Sequence, residues 1–420
     1  MDGTAVDSSH LLSQLEDILD SNPCIDELGF IHPSQFAALH EETDGSPLPK
    51  PSHSCNADTF FWSNEHKLGI STLALTSLYG AAKDAFMDSF RRYKMLLDSR
   101  GQSNESIDVS TWNLPQSDLD IVESEVMRHS RALVLLSCDF GTAWNSRRWV
   151  IKMIADTCEN LQEIVERESV LVKTIAENSK MNYRAWNHHC WMVSYMSHAQ
   201  VILELRNSRE WTALHVADNS CLHYRTRLLL RMVENLKINQ GPDAFSGAEF
   251  HQMWKEELHW VELLIRRYIG REGLGPHFYS LFFYERSSVL SIEKFEFGMG
   301  SSENNNSENE ELFTFINAEL KLLNHCTIVP DNVFEDYETQ AVHSATYFMW
   351  LAKQMPMPFA IELRNSHLYG TLETLLKKTG KSFLLDSVAE NCAGNGLVDG
   401  KISALAHGLA IFYVACAEMR

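Results

Sequence analysis

The sequence predicts an all-α protein, an α-α superhelix of the tetratricopeptide-like solenoid type built from antiparallel helical hairpins. Three observations predict it. The stretch from Asp118 to about Lys237 contains no Pro and a single Gly, Gly141. Apolar residues there recur at helical spacing, without the alternating β-branched runs of a strand. A motif centred on a large apolar residue returns three times, at intervals inside the roughly 34–47 residues of helix-turn-helix repeats. The chain has 420 residues, longer than the ~250–300 at which one hydrophobic core stops growing. An extended stack of repeats, or more than one domain, meets that limit.

The elements follow in order. Residues 8–22 make a short amphipathic helix, with Leu11, Leu12, Leu15, Ile18 and Leu19 on one face and Ser8 or Ser9 as N-cap. Residues 42–58 carry Gly45, Pro47, Pro49 and Pro51 and read as a loop. Residues 67–98 read as a helix burying Leu73, Leu75, Leu78, Ala81 and Phe86. The polar stretch Ser99–Ser110 leads into the helices of 118–237. A loop at 241–249 precedes a helix from Phe250 to Arg271, which Gly270, Gly273, Gly275 and Pro276 break. Residues 300–311 form an acidic, low-complexity loop. Helices are expected at 332–354, 358–390 and 401–419. The resulting division is 1–117 (N-terminal helices and polar loops), 118–290 (the repeats) and 291–420 (a C-terminal helical region).

Charge and cysteine usage bound the function. A formal net charge of -20 repels phosphate backbones and anionic lipid surfaces, so neither nucleic acid nor membrane is an expected partner. A basic protein partner remains open. Nine Cys stand singly with no CxxC, which argues against a zinc ribbon or disulfide framework and fits a reducing cytoplasm. The N-terminus is acidic where a signal peptide needs base, and the apolar tail Ala404–Met419 is shorter than a membrane span of ~18 residues. Cys416 is fifth from the C-terminus, so the chain is not itself expected to be a prenylation substrate.

The repeat carries the main signal. Its first copy reads Thr142-Ala143-Trp144-Asn145-Ser146-Arg147, and its second Asn182-Tyr183-Arg184-Ala185-Trp186-Asn187-His188-His189. Its third reads Asn219-Ser220-Cys221-Leu222-His223-Tyr224-Arg225. Trp186 lies 42 residues after Trp144, and Leu222 lies 36 after Trp186. Tyr183, Trp186, Cys190 and Val193 share one helical face, on which Trp186 would wedge between hairpins, its indole N–H bonded to a backbone carbonyl. Tyr183 is expected in the core. Asp218-Asn219-Ser220 is an N-cap cluster for the helix through Leu222.

These residues resemble the repeat of the protein prenyltransferase α-subunit family, Asn-Tyr-x-x-Trp-x-His/Tyr-Arg followed by an apolar helix. The set is most similar to the repeat-containing α-like subunits associated with type III geranylgeranyltransferase. Residues 211–225 and 22–31 support that branch. The resemblance covers about 120–235. It implies a crescent of hairpins that wraps a catalytic β subunit, of the Rab-type geranylgeranyltransferase kind. That β subunit would hold zinc and geranylgeranyl diphosphate, with no cofactor on this chain. The complex would transfer geranylgeranyl to a C-terminal cysteine of a protein substrate. A second reading is a non-catalytic, tetratricopeptide-like interaction scaffold.

The family pattern places a Lys just before the motif. Lys180 is the nearest here, separated from Asn182-Tyr183 by Met181, so Lys180 and Tyr183 are the candidate catalytic residues. Trp144, Asn145, Arg147, Asn182, Trp186, His188, His189, His223, Tyr224 and Arg225 are the candidate repeat and interface residues. The run Ser146-Arg147-Arg148-Trp149 reads as the start of one repeat joined to the end of another, which suggests a missing repeat between Ser146 and Arg147. A fourth motif at Glu272–His277 is degraded, with Gly275 in the Trp slot.

Other constellations are weaker. His188-His189-Cys190 are adjacent on a helix, point in different directions and suit hydrogen bonding between repeats better than joint metal ligation, so no metal is expected. Arg147, Arg148, Arg184, Arg225, Arg227 and Arg231 suit salt bridges between repeats, or a face that meets an acidic surface or a diphosphate. Glu123 with Glu125, and Glu256 with Glu257, read as exposed helix faces. No HExxH, Walker A, GxSxG or GxGxxG motif occurs.

Overall fold

A computed structural model describes residues 7–36, 60–102, 116–238, 247–270, 320–328, 335–354, 363–366 and 368–378, with isolated residues at 317, 361 and 380. The loop expected at 42–58, the acidic segment 300–311, the motif at Glu272–His277 and the helix at 401–419 lie outside them. The described chain is mostly helical, and successive helices pack on one another as α-α repeats do. It divides into two compact units, 1–202 and 203–420.

The first unit opens with helix α1 (Ser8–Ser21), whose buried face is Leu11, Leu12, Leu15 and Leu19. Its N-cap is Asp7 rather than either serine, with the carboxylate accepting from Ser9 N at 3.0 Å. Next comes an element absent from the sequence-based expectation, a small sheet of β1 (Glu27–Ile31), β2 (Phe61–Asn64) and β3 (Lys67–Ser71). The order is β1-β3-β2, with β1 parallel and β2 antiparallel to β3. The helix expected from residue 67 therefore starts later, as α2 (Leu75–Gln102). Leu78 and Phe86 are buried as expected, whereas Leu73 is exposed in the turn after β3. Lys67-Leu68-Gly69-Ile70-Ser71 has too few residues for its period to separate strand from helix, and tertiary pairing decided.

Four helices complete this unit: α3 (Gln116–Leu136), α4 (Gly141–Ile154), α5 (Leu161–Asn178) and α6 (Tyr183–Met192). One apolar core runs from Leu15 and Leu28 through Phe86 and Tyr93 to Trp144, Val172 and Ala185. The N-terminal elements are tied to the repeats. Arg128 on α3 reaches Asp17 at 2.5 Å and Asp20 at 2.8 Å, and Arg131 reaches Asp20 at 2.5 Å. Thr174 on α5 donates its hydroxyl to Ile25 O at 3.0 Å, just before β1.

A helix α7 (His198–Leu214) runs across the division at residue 202. The second unit continues with α8 (Asn219–Ile238), α9 (Gly247–Arg267), α10 (Glu335–Gln354) and α11 (Leu368–Lys378). Asp218 caps the head of α8, accepting from Ser220 N at 3.0 Å. Leu222 packs with Val216 and Leu264. Beyond the end of α9, Gly270 adopts φ +76°, and its N–H donates to Gln340 Oε1 at 2.9 Å. A Cβ there would lie 2.9 Å from Asp336 O, so both the left-handed turn and the close approach require glycine.

Candidate functional site

The three motif helices α4, α6 and α8 begin in different ways. Asn182 caps α6, its side-chain oxygen accepting from Ala185 N at 2.9 Å. α4 has no side-chain cap. Each helix buries its large apolar residue, Trp144, Trp186 or Leu222. The indole of Trp144 donates to Cys138 O at 2.8 Å, the backbone-carbonyl arrangement expected of Trp186. The next position along faces out in every copy, as Asn145, Asn187 and His223.

The two positions after that turn inward in every copy; Ser146 bonds Thr142 O of its own helix at 2.8 Å, and the others reach neighbouring helices. His188 Nε2 meets Glu168 Oε2 at 2.7 Å, and Tyr224 OH donates to Glu204 Oε2 at 3.0 Å, each across 20 residues of sequence. Arg147 donates from Nη1 to Met127 O at 2.6 Å and Ser130 Oγ at 2.7 Å, and grips Glu168 with Nε and Nη2. Arg225 repeats this pattern. Its Nη1 donates to Leu205 O at 2.6 Å and Ser208 Oγ at 2.7 Å, while Nε and Nη2 reach Glu257 at 2.8 and 2.6 Å. The carbonyl lies 20 residues back and the hydroxyl 17 back in both copies. In the second copy His189 takes the arginine position, with Nε2 3.1 Å from Ser169 Oγ. Arg147 and Arg225 are thus buried clamps within the repeat. Arg227 and Arg231 instead pair with Glu234 near the surface.

The electrostatics follow from burial. Desolvation alone would raise the Glu168 carboxyl, but Arg147 and the His188 hydrogen bond outweigh it and hold the group at about 2. His188 is pulled below its ordinary value by desolvation, against the opposing bond from Glu168. His189 is pushed well below, by desolvation first and then by Lys173. Both histidines are therefore neutral at pH 7.

Two sequence expectations fail here. Glu257 does not stand on an exposed face; it is fully buried beneath Arg225. The signal was present, since Glu257 falls on the same stripe of α9 as Trp254, Val261 and Leu264. Glu168 likewise falls on the stripe of Val165, Val172 and Ile175. The missing repeat between Ser146 and Arg147 also fails. α4 is unbroken from Gly141 to Ile154, and Arg147 is fully engaged by α3 before it and α5 after it.

The candidate catalytic pair stands at the head of α6. Lys180 is exposed in the turn, Met181 has φ +60°, and Tyr183 is exposed on the first turn of the helix rather than in the core. Tyr183 fails as a core residue because the N-cap at Asn182 fixes the register, and Ala185, Trp186 and His189 take the inward positions. Close by, the Arg184 guanidinium lies over Gly141, where a Cβ would meet its Nη1 at 2.7 Å. Only glycine fits beneath it without a shift. Arg148 on α4 is half-buried, 3.4 Å from His188 Nδ1 through Nε and 5.9 Å from the Trp191 ring. The inward motif residues are engaged by groups on neighbouring helices, so the groups placed to meet a ligand are Lys180, Tyr183, Arg184 and Arg148. Among the described residues no group of three or more His, Cys, Asp or Glu could hold a metal ion, and no helix is long and apolar enough to cross a membrane.

No protein-family model matches the chain. It is similar to the protein prenyltransferase alpha subunit repeat-containing protein 1 of Danio rerio, at 24% identity over 201 residues, which is 39% of this chain and 45% of that protein. Protein 1-B of Xenopus laevis is 23% identical over 316 residues, 61% of this chain and 67% of the relative. The Homo sapiens protein 1 is 27% identical over 117 residues, 23% of this chain and 29% of its own length. The match to the Danio rerio protein spans about half of that relative's length. At 23–27% identity over 23–61% of its length, the chain is a distant homologue of the protein prenyltransferase alpha subunit repeat-containing protein 1.

Proposed function

We propose that this chain is an α-type subunit of a protein prenyltransferase. In this reading it scaffolds a catalytic, zinc-bearing β subunit of the Rab-type geranylgeranyltransferase kind, which also holds geranylgeranyl diphosphate, in the cytoplasm. The observation that carries the reading is the repeated clamp of Arg147 and Arg225, with the exposed Lys180 and Tyr183 at the head of the intervening motif helix. Each clamp stiffens the helices of its own unit. The exposed lysine and phenol supply a cation and a hydrogen-bond donor at the head of α6. Zinc on the partner would hold the acceptor cysteine as thiolate.

One observation favours the second reading, a scaffold without catalysis. Met181 intervenes between Lys180 and Asn182 and takes a left-handed turn, which moves Lys180 out of the motif's usual step. Co-expression with the Rab-type β subunit, size exclusion and a labelled geranylgeranyl-transfer assay separate the two. Co-elution with transfer is the expected result. Co-elution without transfer supports the scaffold, and no co-elution at micromolar concentration ends the subunit reading.

A further inference from the structure

Helices α4 and α6 are charged in one sense. Together they hold Arg147, Arg148, Lys152 and Arg184 and no Asp or Glu, in a chain with 56 acidic and 36 basic residues. They run side by side in the same direction, with Gly141 under Arg184, Trp144 against His188 and Arg148 against Trp191. Asn145, Lys152, Tyr183 and Arg184 are exposed along this face.

Glu168 neutralises Arg147. Arg148 has no such partner: among the described residues no carboxylate pairs with it, and its neighbours are His188, Trp191, Cys190 and Tyr183. A half-buried guanidinium has lost part of its hydration, and an anion arriving from outside would restore what water gave it. The surroundings decide which anion. The face offers the half-buried Arg148 fork beside Trp191, with Tyr183, Arg184 and Lys152 exposed around it. Arg, Trp and Tyr together are the composition of protein–protein contact centres.

We propose that the α4–α6 face binds an acidic peptide segment of a partner protein, with an Asp or Glu carboxylate of that segment paired to Arg148. The segment's apolar side chains lie along Trp191 and Tyr183. This does not rest on the prenyltransferase reading, and the test needs no β subunit and no transfer reaction.

The probe is a fluorescein-labelled peptide of about 12 residues alternating pairs of Glu with Leu, titrated with the full chain in about 50 mM salt and followed by anisotropy. Saturable binding is expected, weakened about tenfold by Arg148→Gln and about twofold by Lys152→Gln. Arg167→Gln, which removes an equal charge from the exposed face of α5, leaves binding unchanged. A peptide with Lys in place of Glu does not bind. Arg148→Gln is expected to stay folded, because it breaks no ion pair and loses only a long contact to His188 Nδ1 and the one to the Trp191 ring. If that variant fails to fold, Arg148→Lys carries the test, with binding reduced by about threefold through loss of the fork. Binding indifferent to Arg148, or absent at about 1 mM peptide, overturns the proposal. So does complete displacement by an equal concentration of inorganic diphosphate, which would mark a small-anion site.

Discussion

Arg147 holds Glu168 through two nitrogens, and both side chains are almost wholly buried. Removing either partner strands a charge away from water. Arg147→Ala and Glu168→Ala are each expected to cost about 3–5 kcal/mol in urea unfolding. Arg147→Lys recovers little, because one ammonium cannot supply the fork and the bonds to Met127 and Ser130 together. The paired change Arg147→Met with Glu168→Leu recovers most of the loss. A double variant as weak as the singles would show that the clamp is not the reason for the penalty.

The same cluster sets a pH dependence. His188 and His189 resist protonation in the fold, whereas unfolded histidines accept protons near 6.5. Their contribution is present above about 6.5 and is lost as pH falls below it. Glu168 is depressed from 4.5 to about 2, so its contribution is present above 4.5 and disappears between 4.5 and 2. Unfolding free energy should thus fall in two steps on acidification. His188→Gln combined with His189→Gln flattens the first step and leaves the second. An unchanged slope between about pH 7.5 and 5.5 in that variant would remove the histidines from the account.

Trp144 combines burial with one directed bond. Trp144→Phe keeps most of the packing and leaves Cys138 O without its donor, a loss of about 1–3 kcal/mol. Trp144→Ala adds a cavity and costs about 3–5 kcal/mol. Equal losses in the two variants, read by denaturant titration, would mean the hydrogen bond contributes nothing.

The docking of α1 tests apolar against ionic contributions. Leu15 is fully buried, while Asp20 is half exposed between Arg128 and Arg131. Leu15→Ala is expected to cost about 2–5 kcal/mol, and Asp20→Ala below about 1 kcal/mol. Hydrogen exchange of α1 amides should report the first strongly and the second weakly.

Gly270 permits a simpler check. Gly270→Ala meets both a left-handed backbone and the Asp336 carbonyl, and should destabilise by more than about 1 kcal/mol. An unchanged melting temperature would mean that the turn after α9 relaxes freely.

The helical repeat was legible because Trp144, Trp186 and Leu222 stand in register in a long stretch free of Pro. The role of Arg147 and Arg225 was half legible: their type suits buried pairs, but the acceptors fall on neighbouring helices, 21 and 32 residues onward. No fixed spacing links them, and a Glu on an apolar stripe resembles an error in the pattern until its partner is seen. The small sheet was illegible because its strands are four or five residues long, and β1 pairs with β3 across 40 residues while only the β2–β3 hairpin is local. Tyr183 was misplaced by period counting, which cannot tell a helix's first turn from its middle. The cap at Asn182 can.

Glu168 joins a donor from the hairpin before it to a donor from its own, since Arg147 precedes α5 and His188 follows it. The α3–α4 and α5–α6 hairpins therefore each carry an open valence at their shared edge, which only the matching neighbour fills. Lengthening a loop leaves these valences alone. Excising or inserting half a hairpin leaves one exposed, so viable changes of length in such an array should come as whole hairpins or as loops, and seldom as anything between.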